Sequence, residues 1–174
     1  RIRALRGRRD RVRGRLVARA SGRDRGVQTV GDGEARLSQY VSGHGVASAM
    51  MTARLAGHLS GAAPELNYAL SAGANGEIQA LPPEAVAARF NRMMIDDMQV
   101  DQYFTMAYAE VDLQTGRVQM VQAGHPHPLL IRQDGTIEQL GQGGLPIGLL
   151  PNVLFDRIEA RLRPGDRLFL VSDG

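Results

Sequence analysis

The 174-residue sequence contains no cysteine, so it has neither a disulfide framework nor a thiolate metal site. Lysine is absent too. All 21 basic residues are arginine, which fits a GC-rich coding sequence. No apolar run approaches the roughly 18 residues that a membrane span requires. The arginine-rich start is not followed by an apolar segment, so it does not read as a secretory signal. These absences lead to the expectation of a soluble cytoplasmic protein without a membrane partner, long enough to bury one core.

The formal charge of +3 conceals an asymmetry. Residues 1–25 hold eleven arginines against Asp10 and Asp24, a net of +9, whereas residues 26–174 carry a net of −6. Such an arm suits nucleic acid or an acidic surface. It has no aromatic residue on which bases could stack, however, and matches no nucleic-acid-binding fold, which argues against that partner. Residues 1–40 contain few large apolar residues, and glycine interrupts any helix the pattern starts. They read as an arginine- and glycine-rich segment, either a linker or sequence outside the authentic reading frame. From Val41 onward the pattern is that of an ordinary globular domain.

Residues 47–59 place Val46, Ala49, Met50, Ala53 and Leu55 near helical spacing. Residues 60–82 are rich in Gly, Ala and Pro and read as a loop. Pro83 suits the first turn of a helix running to about Met98, with Val86, Phe90, Met93 and Met94 on one face as core. The period then changes to two. Residues 103–113 and 118–123 predict a hairpin across Gln114-Thr115-Gly116-Arg117, and 128–133 and 136–140 a second across Asp134-Gly135. Residues 155–162 and 167–174 predict a third across Pro164-Gly165-Asp166. Antiparallel strands with a pair of helices argue for an α+β fold.

Candidate chemistry gathers in two places. In Tyr40-Val41-Ser42-Gly43-His44-Gly45 a strand runs into a glycine turn and then a helix. Glycines allow close approach of a ligand to the backbone, and a helix N-terminus favours anions such as phosphate. The second place is Ser172-Asp173-Gly174, where a carboxylate follows the apolar strand Arg-Leu-Phe-Leu-Val and can hold a hard cation or simply form a turn. His125 and His127, two apart, point to opposite faces of a strand and are poorly placed to share a metal. His58 on the first helix has no partner one turn on and reads as structural.

In order, VSGHGVASAMMTARLAGHL, YFTMAYAEVDLQTGRVQMVQAGHPHPLLI, GGLPIGLLP and LRPGDRLFLVSDG resemble the metal-dependent, type 2C-like protein serine/threonine phosphatases of the PPM superfamily. The likeness is to the bacterial SpoIIE-like branch, often joined to response-regulator receiver domains, and it covers about residues 41–174. It implies an α-β-β-α sandwich of two antiparallel sheets flanked by helices, here a partial PPM-type domain incomplete at both ends. It also implies two Mn²⁺ or Mg²⁺ ions about 3.5–4 Å apart, which activate water on a phosphoserine or phosphothreonine protein without a covalent intermediate. The partners so implied are a phosphorylated protein substrate, such as an anti-sigma-factor antagonist, and a sensor or receiver domain in the parent protein.

Carried over residue by residue, the resemblance exposes a gap. The family usually reads Asp-Val-Ser-Gly-His-Gly, with that Asp a principal metal ligand. Here the position is Tyr40, a neutral phenol with a pKa of about 10 whose ring would crowd the ions. Gly31-Asp32 stands too close to Tyr40 to be the family's upstream acidic motif. Of the usual carboxylates only Asp173 is assigned as a metal ligand. Val41, Ser42, Gly43, His44, Gly45 and Gly174 form the loop expected beside metal and phosphate. The chain is therefore expected to be an impaired phosphatase, or else an inactive relative that binds a signalling partner.

Overall fold

The computed structural model describes residues 15–16, 25–30, 34–41, 53–55, 57–59, 66–72, 76–97 and 103–170. In chain order these form β1 (Arg15–Leu16), β2 (Arg25–Val30), β3 (Glu34–Val41), β4 (Leu70–Ala72), β5 (Ile78–Ala80) and helix α1 (Pro83–Arg92). Then come β6 (Thr105–Asp112), β7 (Arg117–Ala123), β8 (Leu129–Ile131), β9 (Ile137–Gln139), β10 (Arg157–Arg161) and β11 (Arg167–Phe169). Residues 53–55 and 57–59 are helical, as their apolar spacing predicts.

The strands make a five-stranded sheet in the order β10-β7-β6-β3-β2, a four-stranded sheet β1-β11-β8-β9 and a two-stranded ribbon β4-β5. Every pairing is antiparallel except β1 with β11. Period-two alternation in β6 and β7 sets the layers. Met106, Tyr108, Val121 and Ala123 pack in one cluster with Val86, Phe90, Met93 and Met94 of the helical layer. The intervening Ala107, Ala109, Val111, Val118 and Met120 pack with Leu130 and Leu168 of the second sheet and with Leu162 and Leu170. The central hairpin is thus buried on both faces, which defines an α+β sandwich of stacked sheets. Leu55 and Leu59 join the same cluster as α1. Among the described residues, no helix covers the outer face of the four-stranded sheet.

Helix α1 begins where proline dictates. Pro82 is extended (φ −61°, ψ 148°), and Pro83 occupies the first turn, where its missing N–H costs nothing. The carbonyl of Pro82 accepts from the N–H groups of Ala85 and Val86. The expected helix to about Met98 changes winding after Arg92, and Met93–Asp97 form a π-helical turn. Phe90 is the hub of this layer, with ring centroids 5.1 Å from Tyr68 and 6.2 Å from Phe104.

Two expectations need correction. Within the supposed loop 60–82, β4 and β5 pair as a short ribbon. It is fastened to α1 because the Arg89 guanidinium donates to the Leu70 carbonyl at 2.7 Å, a tertiary contact that local composition does not announce. The third predicted hairpin is not one. β10 joins β7 in the five-stranded sheet, and β11 joins β8 in the four-stranded sheet. The intervening turn crosses between layers. Sheet structure also extends N-terminal of residue 41, since β3 runs from Glu34 and pairs along its length with β6.

Asp166 explains why the crossing turn holds. Its side chain is only 2 % exposed and accepts from the N–H of Arg163 (2.9 Å), the N–H of Gln133 (3.1 Å) and the Arg132 guanidinium (2.8 Å). Burial alone would raise its pKa. The Arg163 N–H, the Arg132 cation and the Gln133 N–H outweigh burial and hold the carboxyl below its ordinary range. Arg132 also forks onto Glu138 and donates to the Arg161 carbonyl, so one cation ties β9, β10 and the crossing turn together. At the base of the β6–β7 hairpin, Gly116 has φ +74°, and a Cβ there would collide with the Leu162 carbonyl oxygen, whose residue donates its N–H to the Gly116 carbonyl.

Two stability predictions follow from these contacts. Asp166→Ala, which orphans two N–H groups and unbalances Arg132, should cost about 3 kcal/mol in urea unfolding. Because Asp166 has a depressed folded-state pKa, its contribution is full above the unfolded carboxylate range near pH 4. It is lost as the pH falls through the folded value, so the variant should show a shallower acid limb. Phe90→Ala removes the hub ring and should cost about 3–5 kcal/mol by the same measurement.

Candidate active site

Topology brings the strands that lead into the two candidate segments to one end of the sandwich. β3 runs out at Val41, with Tyr40 in register with Met106 and Val41 with Thr105, the first residue of β6. β7 finishes beside it at Ala123, and only residues 124–128 separate β7 from β8 in the other sheet. Phe169, the last residue of β11, pairs with Leu129, the first of β8. The ends of β3 and β11 therefore meet at the end where β6 and β8 begin. Strand ends at one edge of stacked sheets are where side chains from several strands converge without disturbing the core. Ser42, Gly43, His44, Gly45, Asp173 and Gly174 lie outside the described residues; Tyr40 and Val41 are placed as the last two residues of β3.

The described groups that hold this end are joined by hydrogen bonds. His125 is 3 % exposed, with its Nδ1 3.2 Å from the Thr105 hydroxyl. His127 instead places its Nδ1 3.2 Å from the Leu140 carbonyl oxygen, so the two histidines serve different partners, as their spacing predicts. His58 lies in the helical layer, stacked at 4.3 Å on Tyr68. Gln122 sits on the inter-sheet face opposite Ala107 and is buried. Its amide N–H donates to the His125 carbonyl at 2.6 Å, and its Oε1 accepts from the Gly143 N–H at 3.0 Å.

Those contacts seat residues 141–150 against the same end. Ile147 and Phe104 exchange backbone hydrogen bonds of 2.9 and 3.0 Å, and Pro146 lies over Gly124. Gly144, at φ +135°, passes so near β7 that a Cβ would lie 2.7 Å from the Gln122 carbonyl oxygen. From the helical layer, buried Asn91 accepts from the Gly148 N–H (2.8 Å) and donates to the Leu150 carbonyl (3.0 Å). Asn91 and Gln122 escape a reading by motif. Their signal is a polar residue at a position where the helical or alternating pattern calls for an apolar one, which demands a buried partner.

Three of the described carboxylates do structural work. Asp112 accepts from the Thr115 hydroxyl and the N–H groups of Thr115 and Gln114, and these bonds lower its pKa. Glu138 is lowered by the Arg132 guanidinium. Both, with Asp166, stand at the opposite end of the sandwich, at the β6–β7 turn and beyond β8. They are structural counter-charges rather than groups tuned for proton transfer. Among the described residues, no three of His, Asp or Glu are grouped to hold a metal ion. A hard divalent cation needs anionic oxygens, and a phenol at position 40 does not supply one. The described residues at this end do not by themselves supply the anionic oxygens of the ion pair that the resemblance implies.

Residues 40–174 match the sequence profile of the family described as Stage II sporulation protein E, SpoIIE. The chain is 29% identical over 138 residues to the phosphoserine phosphatase RsbP of Bacillus subtilis, covering 77% of this chain and 31% of that protein. It is 27% identical over 93 residues to the phosphoserine phosphatase RsbU of the same organism, covering 53% of this chain and 28% of that protein. The chain therefore spans about a third or less of these relatives. Among solved structures, the PP2C phosphatase domain of SpoIIE from Bacillus subtilis superposes with a TM-score of 0.65 at 17% identity, over 87% of this chain and 41% of that one. RsbX in complex with magnesium superposes at 0.57 with 12% identity, over 80% and 60% of the two chains. The profile match shows that the chain belongs to the SpoIIE family, and the superpositions show that it shares the fold of these phosphatase domains.

Proposed function

We propose that this is a protein serine/threonine phosphatase domain of bacterial signal transduction, acting on a phosphoserine or phosphothreonine protein. The observation that supports the reading best is the convergence at one sandwich end of β3, which leads into Val-Ser-Gly-His-Gly, and β11, which leads toward Asp173. In such a domain bound Mn²⁺ or Mg²⁺ neutralises the phosphate dianion and lowers the pKa of water. The magnesium complex of RsbX supports a divalent ion of this kind. This chain's own contribution is the frame. Thr105, His125 and Gln122 fix the strand ends, and Gln122 holds the 141–150 stretch beside them.

The substrate proposed is a phosphorylated regulatory protein such as an anti-sigma-factor antagonist, with a sensor or receiver domain elsewhere in the parent protein. RsbP and RsbU, both phosphoserine phosphatases, support the phosphoserine part of that reading. Among the described residues no helix is long and apolar enough to cross a membrane, and we place the domain in the cytoplasm. Tyr40 impairs hydrolysis in this chain. It also supports the second reading, a phosphatase-like domain that binds a signalling protein without turning it over.

The test is a titration of Mn²⁺ into the chain and into Tyr40→Asp, followed by phosphate release from a phosphoserine peptide. The unmodified chain should show weak binding and little turnover. Tyr40→Asp should bind Mn²⁺ at least ~10-fold more tightly and gain turnover, since a carboxylate is restored where a phenol stood. Stoichiometric binding with turnover by the unmodified chain would refute the impairment. No gain in Tyr40→Asp would leave the binding-module reading in possession.

A further inference from the structure

We infer that Leu145, Leu149 and Leu150 form a recognition rim for the substrate protein, selecting a phosphorylated segment whose flanking side chains are apolar. The inference rests on the phosphatase reading of the same sandwich end and concerns what that end accepts beyond the phosphate itself.

Leu145, Leu149 and Leu150 are 42%, 42% and 50% exposed, although each stands in a stretch whose backbone is firmly held. Exposed leucines on mobile loops are ordinary. Several on one rigid stretch beside a candidate site are not, because apolar surface held in water is costly unless something covers it. The rigidity is specific. Gln122 holds Gly143, Phe104 holds Ile147, and Asn91 holds Gly148 and Leu150. The same contacts fix the location, because Phe104 immediately precedes Thr105, and Pro146 lies over Gly124 beside His125. A platform ordered in advance loses little conformational entropy when a partner binds.

The chemistry of the occupant follows from charge. Residues 141–155 contain no ionisable side chain, whereas the cavity of about 470 Å³ at the opposite end is lined by Arg132, Asp134, Glu138, Arg163 and Asp166. A phosphate site at this end would treat every phosphoserine alike, so discrimination must come from its surroundings. Against an uncharged leucine rim, a charged flank would be stripped of water and find no partner, which is costly. An apolar flank buries surface on both sides. The rim therefore favours a phosphoserine with leucine- or valine-like neighbours and rejects one set among acidic or basic residues.

The test uses short fluorescent peptides with a central serine or phosphoserine, flanked by Leu and Val, by Ser, or by Glu. Anisotropy is measured with Mn²⁺ on the full chain and on Tyr40→Asp. The variants are Leu149→Ser with Leu150→Ser, Leu145→Ser alone should the double variant not fold, and Leu154→Ser as control. Leu154 is 93% exposed and outside the clamped stretch, so its variant should behave like the parent. Apolar-flanked phosphopeptide should bind about 10-fold more tightly than the Glu-flanked one, and the rim variants should abolish that preference. An apolar preference indifferent to phosphate would uphold the rim while removing the phosphatase reading. Phosphate-dependent binding without flank preference, or a preference surviving in the rim variants, would overturn the rim and leave the phosphatase reading standing. Absence of binding by every peptide would overturn both.

Discussion

The constraint on which the rest of this molecule depends is the burial of one antiparallel hairpin on both faces. β6 and β7 carry apolar side chains at odd and even positions alike, so neither face can be left to water. One face is covered by α1 and the residues helical near Leu55, the other by β8 and β11. The faces differ in character. Phenylalanine, tyrosine and methionine meet the helices, while Ala107 and Ala109 on the inter-sheet face leave room for Leu130 and Leu168 from the opposing strands. Close packing at both interfaces fixes the layer order, and the layer order fixes which strand ends lie together.

The two ends of the sandwich are secured by different chemistry. At the end near Asp166, ion pairs and charged hydrogen bonds dominate, with Arg132 shared among three elements. Near His125, amides and backbone groups dominate, with Gln122 and Asn91 each bridging otherwise unconnected segments. Such a frame suits a site that must accept a highly charged ligand. Fixed structural carboxylates there would repel phosphate, and fixed arginines would compete with a cation.

Much of this was legible in the sequence because the signals are local. Pro83 and the spacing of Val86, Phe90 and Met94 announce α1, and alternation across Gly116 and Asp134-Gly135 announces two hairpins. The third apparent hairpin misleads for a physical reason. Turn chemistry at Pro164-Gly165-Asp166 says that the chain reverses, but not whether the second strand returns to the same sheet. Asp166 settles that through Arg132 and Gln133, more than thirty residues away in sequence. The ribbon at β4 and β5 was hidden likewise, since Arg89 secures it from another element. At the site, the motif around residues 40–45 was legible as a resemblance. The clamps at Asn91 and Gln122 were not, because a single buried amide carries no motif.

Tyr40 shows why fold and chemistry separate in such a domain. Its place at the end of β3 is set by register with Met106, a backbone matter to which the identity of the side chain is secondary. The frame formed by Thr105, His125, Gln122 and Asn91 is held by hydrogen bonds among the described residues. A hard cation is held by anionic oxygens, a chemistry separate from the hydrogen bonds that hold this frame together. The leucines of the 141–150 stretch likewise owe their positions to amide and backbone hydrogen bonds. The architecture at this end is thus set by register and hydrogen bonding, independently of the chemistry that the strand end carries.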